Sequence, residues 1–217
     1  MVNDKLPISE IFGPVIQGEG KNAGLPTVFV RVYGCNMIPK CKFCDTKYSW
    51  KGEHELRSVE EVSEEIKQYG MRDITLTGGE FMIYKESMFA LQRFLPGRRF
   101  HLETNGTLYD ERLKDLYSVT VSPKKQALEQ SVQTVRQLAR LPNSTFKFVY
   151  ESKDDLWWND LMRRTEINPD KVYIMPEGAD RETQIKRMPE VLEYCQSAGF
   201  KFSPRLHVIA YDIKRGV

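Results

Sequence analysis

From Thr27 onward the chain alternates short β-type runs with amphipathic helix-type segments, and this alternation decides what it can fold into. Residues 27–33, 73–77, 99–103, 118–121, 145–150 and 171–175 are rich in Val, Ile, Phe and Tyr, which suit a pleated and buried surface. Between and after them, residues 58–69, 85–95, 110–116, 129–141, 154–165 and 180–198 carry helix-type patterns. Ser58, with Glu61 three residues on, is a capping-box signature, while Gly70, Pro96-Gly97 and Gly199 supply stops. About six such units predict an α/β fold with a parallel sheet and its helices outside. A complete eight-unit barrel typically needs ~250 residues. Six units in 217 residues therefore predict an incomplete TIM-type barrel. A flat doubly wound sheet is the competing fold, and periodicity does not separate the two. Residues 1–26 read as irregular around Gln17-Gly18-Glu19-Gly20, and a final strand and tail follow Gly199. With no repeat, low-complexity tract or long linker, residues 1–217 read as one domain.

The polar motifs fall just after the predicted strands. They are the cysteine loop at 34–50, Thr77-Gly78-Gly79-Glu80, Glu103-Thr104-Asn105-Gly106, Ser122-Pro123-Lys124 and Met175-Pro176-Glu177-Gly178. Parallel α/β folds bind ligands at the carboxyl ends of their strands, so these motifs are expected on one face.

A net charge of +2 carries no basic excess that would mark a nucleic-acid binder. No apolar run approaches the ~20 residues of a membrane span. The opening MVNDKLPISE lacks the basic-then-apolar order of a signal peptide. The expected compartment is the cytoplasm, where structural disulfides are rare and clustered cysteines more often bind metal or do chemistry.

Three of the four cysteines, Cys35, Cys41 and Cys44, share the loop that follows the first predicted strand. Soft thiolates suit zinc or an iron–sulfur cluster. A structural zinc site usually has four protein ligands, and the fourth here would be His54, Asp45 or the distant Cys195. A four-iron cluster on three ligands keeps one iron open. Taken alone, the loop fits both readings equally. Cys195 sits with Val191, Leu192 and Ala198 at helical spacing and reads as core. His54, His101 and His207 show no metal-site spacing, and His207, alternating with Val208 in the last strand, reads as a packing or rim residue. Trp157-Trp158 reads as helix core.

Cys35, Cys41 and Cys44 followed by Thr77-Gly78-Gly79-Glu80 resemble the radical S-adenosylmethionine (SAM) superfamily. Ile16-Gln17-Gly18-Glu19-Gly20, Arg31, Cys44-Asp45-Thr46, Trp50, Glu103-Thr104-Asn105-Gly106, Ser122-Pro123-Lys124 and the closing Lys214-Arg215-Gly216-Val217 narrow the resemblance to the 7-carboxy-7-deazaguanine synthase family. The family implies a radical SAM core and a lyase reaction. It converts 6-carboxy-5,6,7,8-tetrahydropterin to 7-carboxy-7-deazaguanine with loss of ammonia, towards queuosine-type deazapurines. Residue by residue, the resemblance implies that Cys35, Cys41 and Cys44 ligate a [4Fe–4S] cluster. Gly79, Glu80, Ser122, Pro123, Lys124, Met175, Pro176, Glu177 and Gly178 would bind SAM, with Glu80 beside its amino group. Thr46 would give its hydroxyl to Mg²⁺. Ile16, Gln17, Gly18, Arg31, Thr77, Glu103 and the terminal carboxylate of Val217 would meet the pterin. No catalytic group is implied beyond cluster and SAM. A flavodoxin- or ferredoxin-type reductant and a homodimer complete the implied picture.

Two positions depart from the family pattern. The spacer between Cys35 and Cys41 is longer than usual, and Phe81 stands where proline usually follows Gly-Gly-Glu. Two other functions share part of the motif set. A radical SAM activase that makes a glycyl radical on a partner enzyme would share the cysteine loop and Gly-Gly-Glu, but would leave Gln17-Gly18-Glu19-Gly20, Arg31 and Thr46 without a role. A non-catalytic zinc module would use the cysteines alone.

Overall fold

Nine strands share one sheet in a computed structural model that describes residues 5–217. They are β1 (Lys5–Ile16), β2 (Pro26–Val32), β3 (Glu55–Ser58), β4 (Asp73–Gly78), β5 (Arg99–Thr104), β6 (Ser118–Val121), β7 (Ser144–Tyr150), β8 (Val172–Pro176) and β9 (Lys201–Phe202). The helices are α1 (Tyr48–Lys51), α2 (Val59–Gln68), α3 (Lys85–Phe94), α4 (Leu128–Ala139), α5 (Trp158–Thr165), α6 (Arg181–Ala198) and α7 (Leu206–Tyr211). A 3₁₀ turn, Glu111–Asp115, replaces a helix between β5 and β6. The capping box before α2 is complete: Ser58 Oγ accepts from the Glu61 amide at 3.2 Å, and Glu61 accepts from the Ser58 amide at 2.7 Å.

The spatial order β3-β1-β2-β4-β5-β6-β7-β8-β9 separates the two folds that periodicity could not. From β2 to β9 every neighbouring pair is parallel and the strands lie in chain order. A doubly wound sheet reverses its strand order to place helices on both faces. Right-handed crossovers that always advance the same way put every helix on one side. The fold is therefore a partial barrel, with β3 and β9 as its unjoined ends.

Alternation along the strands divides the two faces of this sheet. Val28, Val30, Val32, Ile74, Leu76, Phe100, Leu102, Val119, Val121, Phe146 and Phe148 are buried in the apolar core. Their neighbours of opposite parity, Thr75, His101, Glu103, Thr120, Thr145 and Lys147, put polar groups on the other face. Trp158, fully buried, stacks on Phe148 with ring centroids 5.8 Å apart, and Trp157 packs beside it. Cys195 is buried too, and burial pushes its thiol up to about 11.

Residues 5–16 correct the reading of an irregular N-terminal region; residues 1–4 lie outside the described residues. Strand β1 pairs antiparallel with both β2 and β3. Pro7, Gly13 and Pro14 hide it from a pattern search, yet it accommodates them through register shifts between Ile8 and Glu10 and between Phe12 and Val15. At the other end the final strand is only Lys201–Phe202, and His207 lies on α7, not on a strand.

The polar face buries one further network. His101 joins Asp73 Oδ1 through Nε2 and Ser118 Oγ through Nδ1, both at 2.8 Å. Burial pushes the His101 imidazole below its ordinary value, and Asp73 offsets this only in part; Arg99 and Lys21 oppose the proton as well. The unfolded chain takes up this proton near pH 6.5, the folded chain only at lower pH. Stability should therefore fall as pH drops below about 6.5 and level off once the folded imidazole titrates. His207, also held low by burial, contributes with the same sign. Denaturant titrations of His101→Gln should show this acid limb flattened, by up to about 1.4 kcal/mol per pH unit. An unchanged slope would show that His101 does not titrate between the two states.

Candidate active site

The carboxyl ends of the parallel strands open into a cavity of about 520 Å³, within the ~300–1,000 Å³ range usual for small-molecule sites. Its walls are built by the loops that follow the strands.

The cysteine loop leaves β2 at Gly34, whose φ of +99° is open to glycine. It is bound to the loop after β4 by main-chain bonds, Gly79 N to Val32 O at 3.2 Å and Glu80 N to Gly34 O at 2.8 Å. A Cβ on Gly79 would lie 2.0 Å from Gly34 O and 2.9 Å from Cys35 Cβ, so only glycine lets these loops meet. Cys35, Cys41 and Cys44 are free, half-buried thiols that all line the cavity. Three soft donors beside a glycine-lined wall fit an iron–sulfur cluster with one thiolate per iron.

Nearly all the expected site residues come together here. Thr46, Gly79, Ser122, Lys124, Met175, Pro176, Glu177 and Gly178 line the cavity, as do Ile16, Gln17, Gly18, Arg31, Thr77, Glu103 and Val217. Two do not. Pro123 is buried behind Ser122 and Lys124. Glu80 turns away from the cavity and is 1% exposed. Its carboxylate accepts from the Met82 amide at 3.0 Å, Thr104 Oγ1 at 2.8 Å and the Asn105 amide at 2.7 Å. Burial raises the Glu80 carboxyl, against these three bonds and Lys124. Phe81 opens the 3₁₀ segment Phe81–Tyr84 that Glu80 caps, and its ring is fully buried. Glu80 thus joins the loop after β4 to the loop after β5.

The deep end of the cavity is a charged network with members the sequence did not reveal. Lys147, on β7, lies 2.6 Å from Glu19 and 3.1 Å from Glu103. Gln17 Nε2 reaches Glu103 at 3.5 Å. Arg205 donates to Glu19 at 2.8 Å, to Gly178 O at 2.7 Å and to Asp45, bracing three loops together. Burial pushes the Glu19 carboxyl up, but Lys147, Arg205 and His207 outweigh it and hold it well below the usual carboxylate range. Glu103 is raised by burial, with Lys147 offsetting only part. Burial alone would lower the Lys147 ammonium, yet the two carboxylates hold it above its ordinary value. A lone lysine between Phe146 and Phe148 on a buried strand was the available signal for this network.

Arg31 sits on the opposite wall. Its Nε pairs with Glu10 Oε1 at 2.6 Å, and Glu10 also accepts from Tyr48 Oη at 2.9 Å. Among the described residues its two Nη atoms have no hydrogen-bond partner. Arg215, from the C-terminal tail, lies over the Tyr48 ring at 3.5 Å and reaches Glu10 at 3.3 Å. Asp212 to Val217 all line the cavity, so the tail covers its mouth. His207 on α7 meets the chain at Gly18, where a Cβ would lie 2.2 Å from its Nδ1.

The model of the radical SAM superfamily matches residues 29–156 of the chain. Two curated relatives are each called 7-carboxy-7-deazaguanine synthase. That of Halobacterium salinarum is 32% identical over 95% of this chain and 91% of its own length. That of Hyperthermus butylicus is 33% identical over 96% and 94%. Among solved structures, the crystal structure of QueE from Escherichia coli is similar in fold, with a TM-score of 0.69 and 23% identity. It covers 94% of this chain and 95% of that one.

Proposed function

The chain belongs to the radical SAM superfamily and, within it, to the 7-carboxy-7-deazaguanine synthases, and from that premise we propose how its cavity divides the work. The reaction converts 6-carboxy-5,6,7,8-tetrahydropterin to 7-carboxy-7-deazaguanine with loss of ammonia. One observation carries the assignment of residues: three free thiols open into the same cavity as Gln17, Arg31 and Glu103. Cys35, Cys41 and Cys44 hold the [4Fe–4S] cluster, which when loaded supplies the electron for reductive SAM chemistry. Gly79, Ser122, Lys124 and the Met175-Pro176-Glu177-Gly178 loop hold SAM between that wall and β8.

Arg31 takes the substrate carboxylate. Glu10 fixes its guanidinium through Nε and leaves the Nη pair for a planar anion. Glu103 presents a carboxylate acceptor and Gln17 an amide to the pterin edge, with Ile16, Gly18 and Thr77 flanking it. Val217 closes the pocket with the tail. Thr46 supplies a hydroxyl to Mg²⁺, a hard cation that retains waters and needs few protein oxygens. Its place two residues past Cys44, on the same wall, supports that role.

The reading of one domain over 1–217 is supported by all nine strands joining one sheet. Among the described residues no helix is long and apolar enough to cross a membrane. A small acidic flavodoxin or ferredoxin is the proposed reductant, supported by exposed Lys42, Lys47 and Lys51 on the cluster loop and by Ile38, 84% exposed beside them. The cytoplasmic setting rests on the sequence reading, and the homodimer on the family resemblance.

Anaerobic incubation with SAM, reductant, Mg²⁺ and the carboxy-tetrahydropterin should yield the deazaguanine. Arg31→Ala should raise the substrate requirement at least about tenfold, the loss of one charge-assisted bond, and leave SAM cleavage without substrate unaltered. SAM cleavage without any deazaguanine in the native chain would refute the substrate assignment.

A further inference from the structure

Two of the three cavity thiols have a side-chain N–H donor aimed at the sulfur. Cys41 accepts from the side-chain amide of Gln126, with Nε2 3.0 Å from Sγ. Cys44 accepts from the indole of Trp50, with Nε1 3.4 Å from Sγ. Both donors are side chains that the sequence is free to vary.

Gln126 reaches Cys41 from far along the chain. It lies on the 3₁₀ turn Lys125–Ala127 after β6, 85 positions from its partner. Gln126 does not line the cavity, so it approaches the sulfur from behind. Among the described residues the bond to Cys41 is its only side-chain hydrogen bond. Trp50 is held on its own account: its carbonyl accepts from Tyr33 Oη at 3.0 Å, and Lys40 and Lys51 lie over its ring at 5.7 and 5.1 Å.

An N–H pointed at a thiolate ligand draws electron density from the sulfur. It stabilises the more electron-rich state of a cluster, and such bonds are among the terms that set cluster potentials. We propose that Gln126 and Trp50 tune the reduction potential of the cluster upward through their bonds to Cys41 and Cys44. This inference rests on the reading that these cysteines hold the cluster. Neither side chain exchanges a proton or an electron; each changes the driving force with which the cluster accepts one. The shorter Gln126 bond carries the larger share.

The test is a spectroscopically monitored redox titration of the reconstituted full chain without SAM, paired with iron analysis. Gln126→Leu keeps the approximate length of the side chain and deletes the donor. It should load iron as the native chain does and shift the reduced-to-oxidised ratio about tenfold towards oxidised, about 59 mV for a one-electron couple. Trp50→Phe should shift the ratio in the same direction, by about threefold, and the double variant by about the product. An unchanged midpoint in either loaded variant removes that residue from the proposal. A Gln126→Leu chain that takes up no iron would show that the amide places the thiol and does not tune it, which overturns the proposal too. A native chain that takes up no cluster overturns the cysteine assignment itself, so the two failures are distinct.

Discussion

Alanine at position 41 should leave a chain that folds yet neither retains iron nor cleaves SAM. Cys41 lies on the cavity wall, half-buried; its side chain accepts one hydrogen bond, from Gln126, and its loop is also held by main-chain bonds at Gly34. Removing one partly exposed sulfur therefore sacrifices little packing, on the order of 1 kcal/mol or less. The cluster loses far more, because two of its four irons would then lack a protein ligand. Iron analysis after anaerobic reconstitution should fall from about four per chain to near zero. The thermal midpoint of the metal-free chain should stay within a few degrees of native. Cys195→Ala is the matched control. Cys195 lies on the buried face of α6, in the core, so its loss should cost about 1 kcal/mol of stability and no iron. A Cys41→Ala chain that keeps its full iron, or a Cys195→Ala chain that loses it, would sink the assignment.

The six βα units could be read from the sequence because each strand is a short β-branched or aromatic run and each helix has a stop. Strand β1 could not, because Pro7, Gly13 and Pro14 interrupt any alternation and the strand finds its pairing only through register shifts against β2. Helix α7, with Val208 and Ile209 in a six-residue span, carries β-type residues that its contacts override. The site was legible where chemistry names itself: thiols, paired glycines and a lone arginine on a strand. It was illegible where a role depends on a distant partner. Glu80 reads as part of the Gly-Gly-Glu motif, and only the fold shows that Thr104 and Asn105, 24 and 25 positions away, donate to its two oxygens. Arg205 belongs to no motif, and only the fold brings it to Glu19 and Asp45. Gln126 is silent for the same reason.

Lys147→Met should be the most destabilising single change among the charged residues of the cavity. The native ammonium, 7% exposed at its side chain, stands between Glu19 and Glu103. Methionine matches its length and leaves two buried carboxylates short of a cation. Arg205 still serves Glu19, but Glu103 keeps only neutral donors, Thr120 and, at 3.5 Å, Gln17. Breaking a buried pair in this way costs about 3–5 kcal/mol, against total stabilities of about 5–15. At about 2–4 °C per kcal/mol in a chain of this size, the melting midpoint should drop by about 10 °C.

The loss should also depend on pH, with a definite sign. Burial already raises the Glu103 carboxyl, and removing Lys147 takes away its main counter-charge. The folded variant then binds a proton at Glu103 that the unfolded chain releases near pH 4.3, so its stability falls as pH rises from there. In the native chain Glu19 acts in the complementary direction. Its lowered carboxyl contributes stability above the unfolded value that is lost on acidification, and Lys147 is the first-ranked of the cations that hold it down. The Glu103 effect makes the gap between native and Lys147→Met wider at pH 8 than at pH 5, while the Glu19 contribution, complete above about pH 4.3, changes only at more acid pH. Adding Glu103→Gln to the variant removes the stranded charge along with its partner, so it should recover part of the stability and most of the pH dependence. A gap that is equal at both pH values, or a double variant weaker than the single one, would show that Lys147 acts by packing and not by charge.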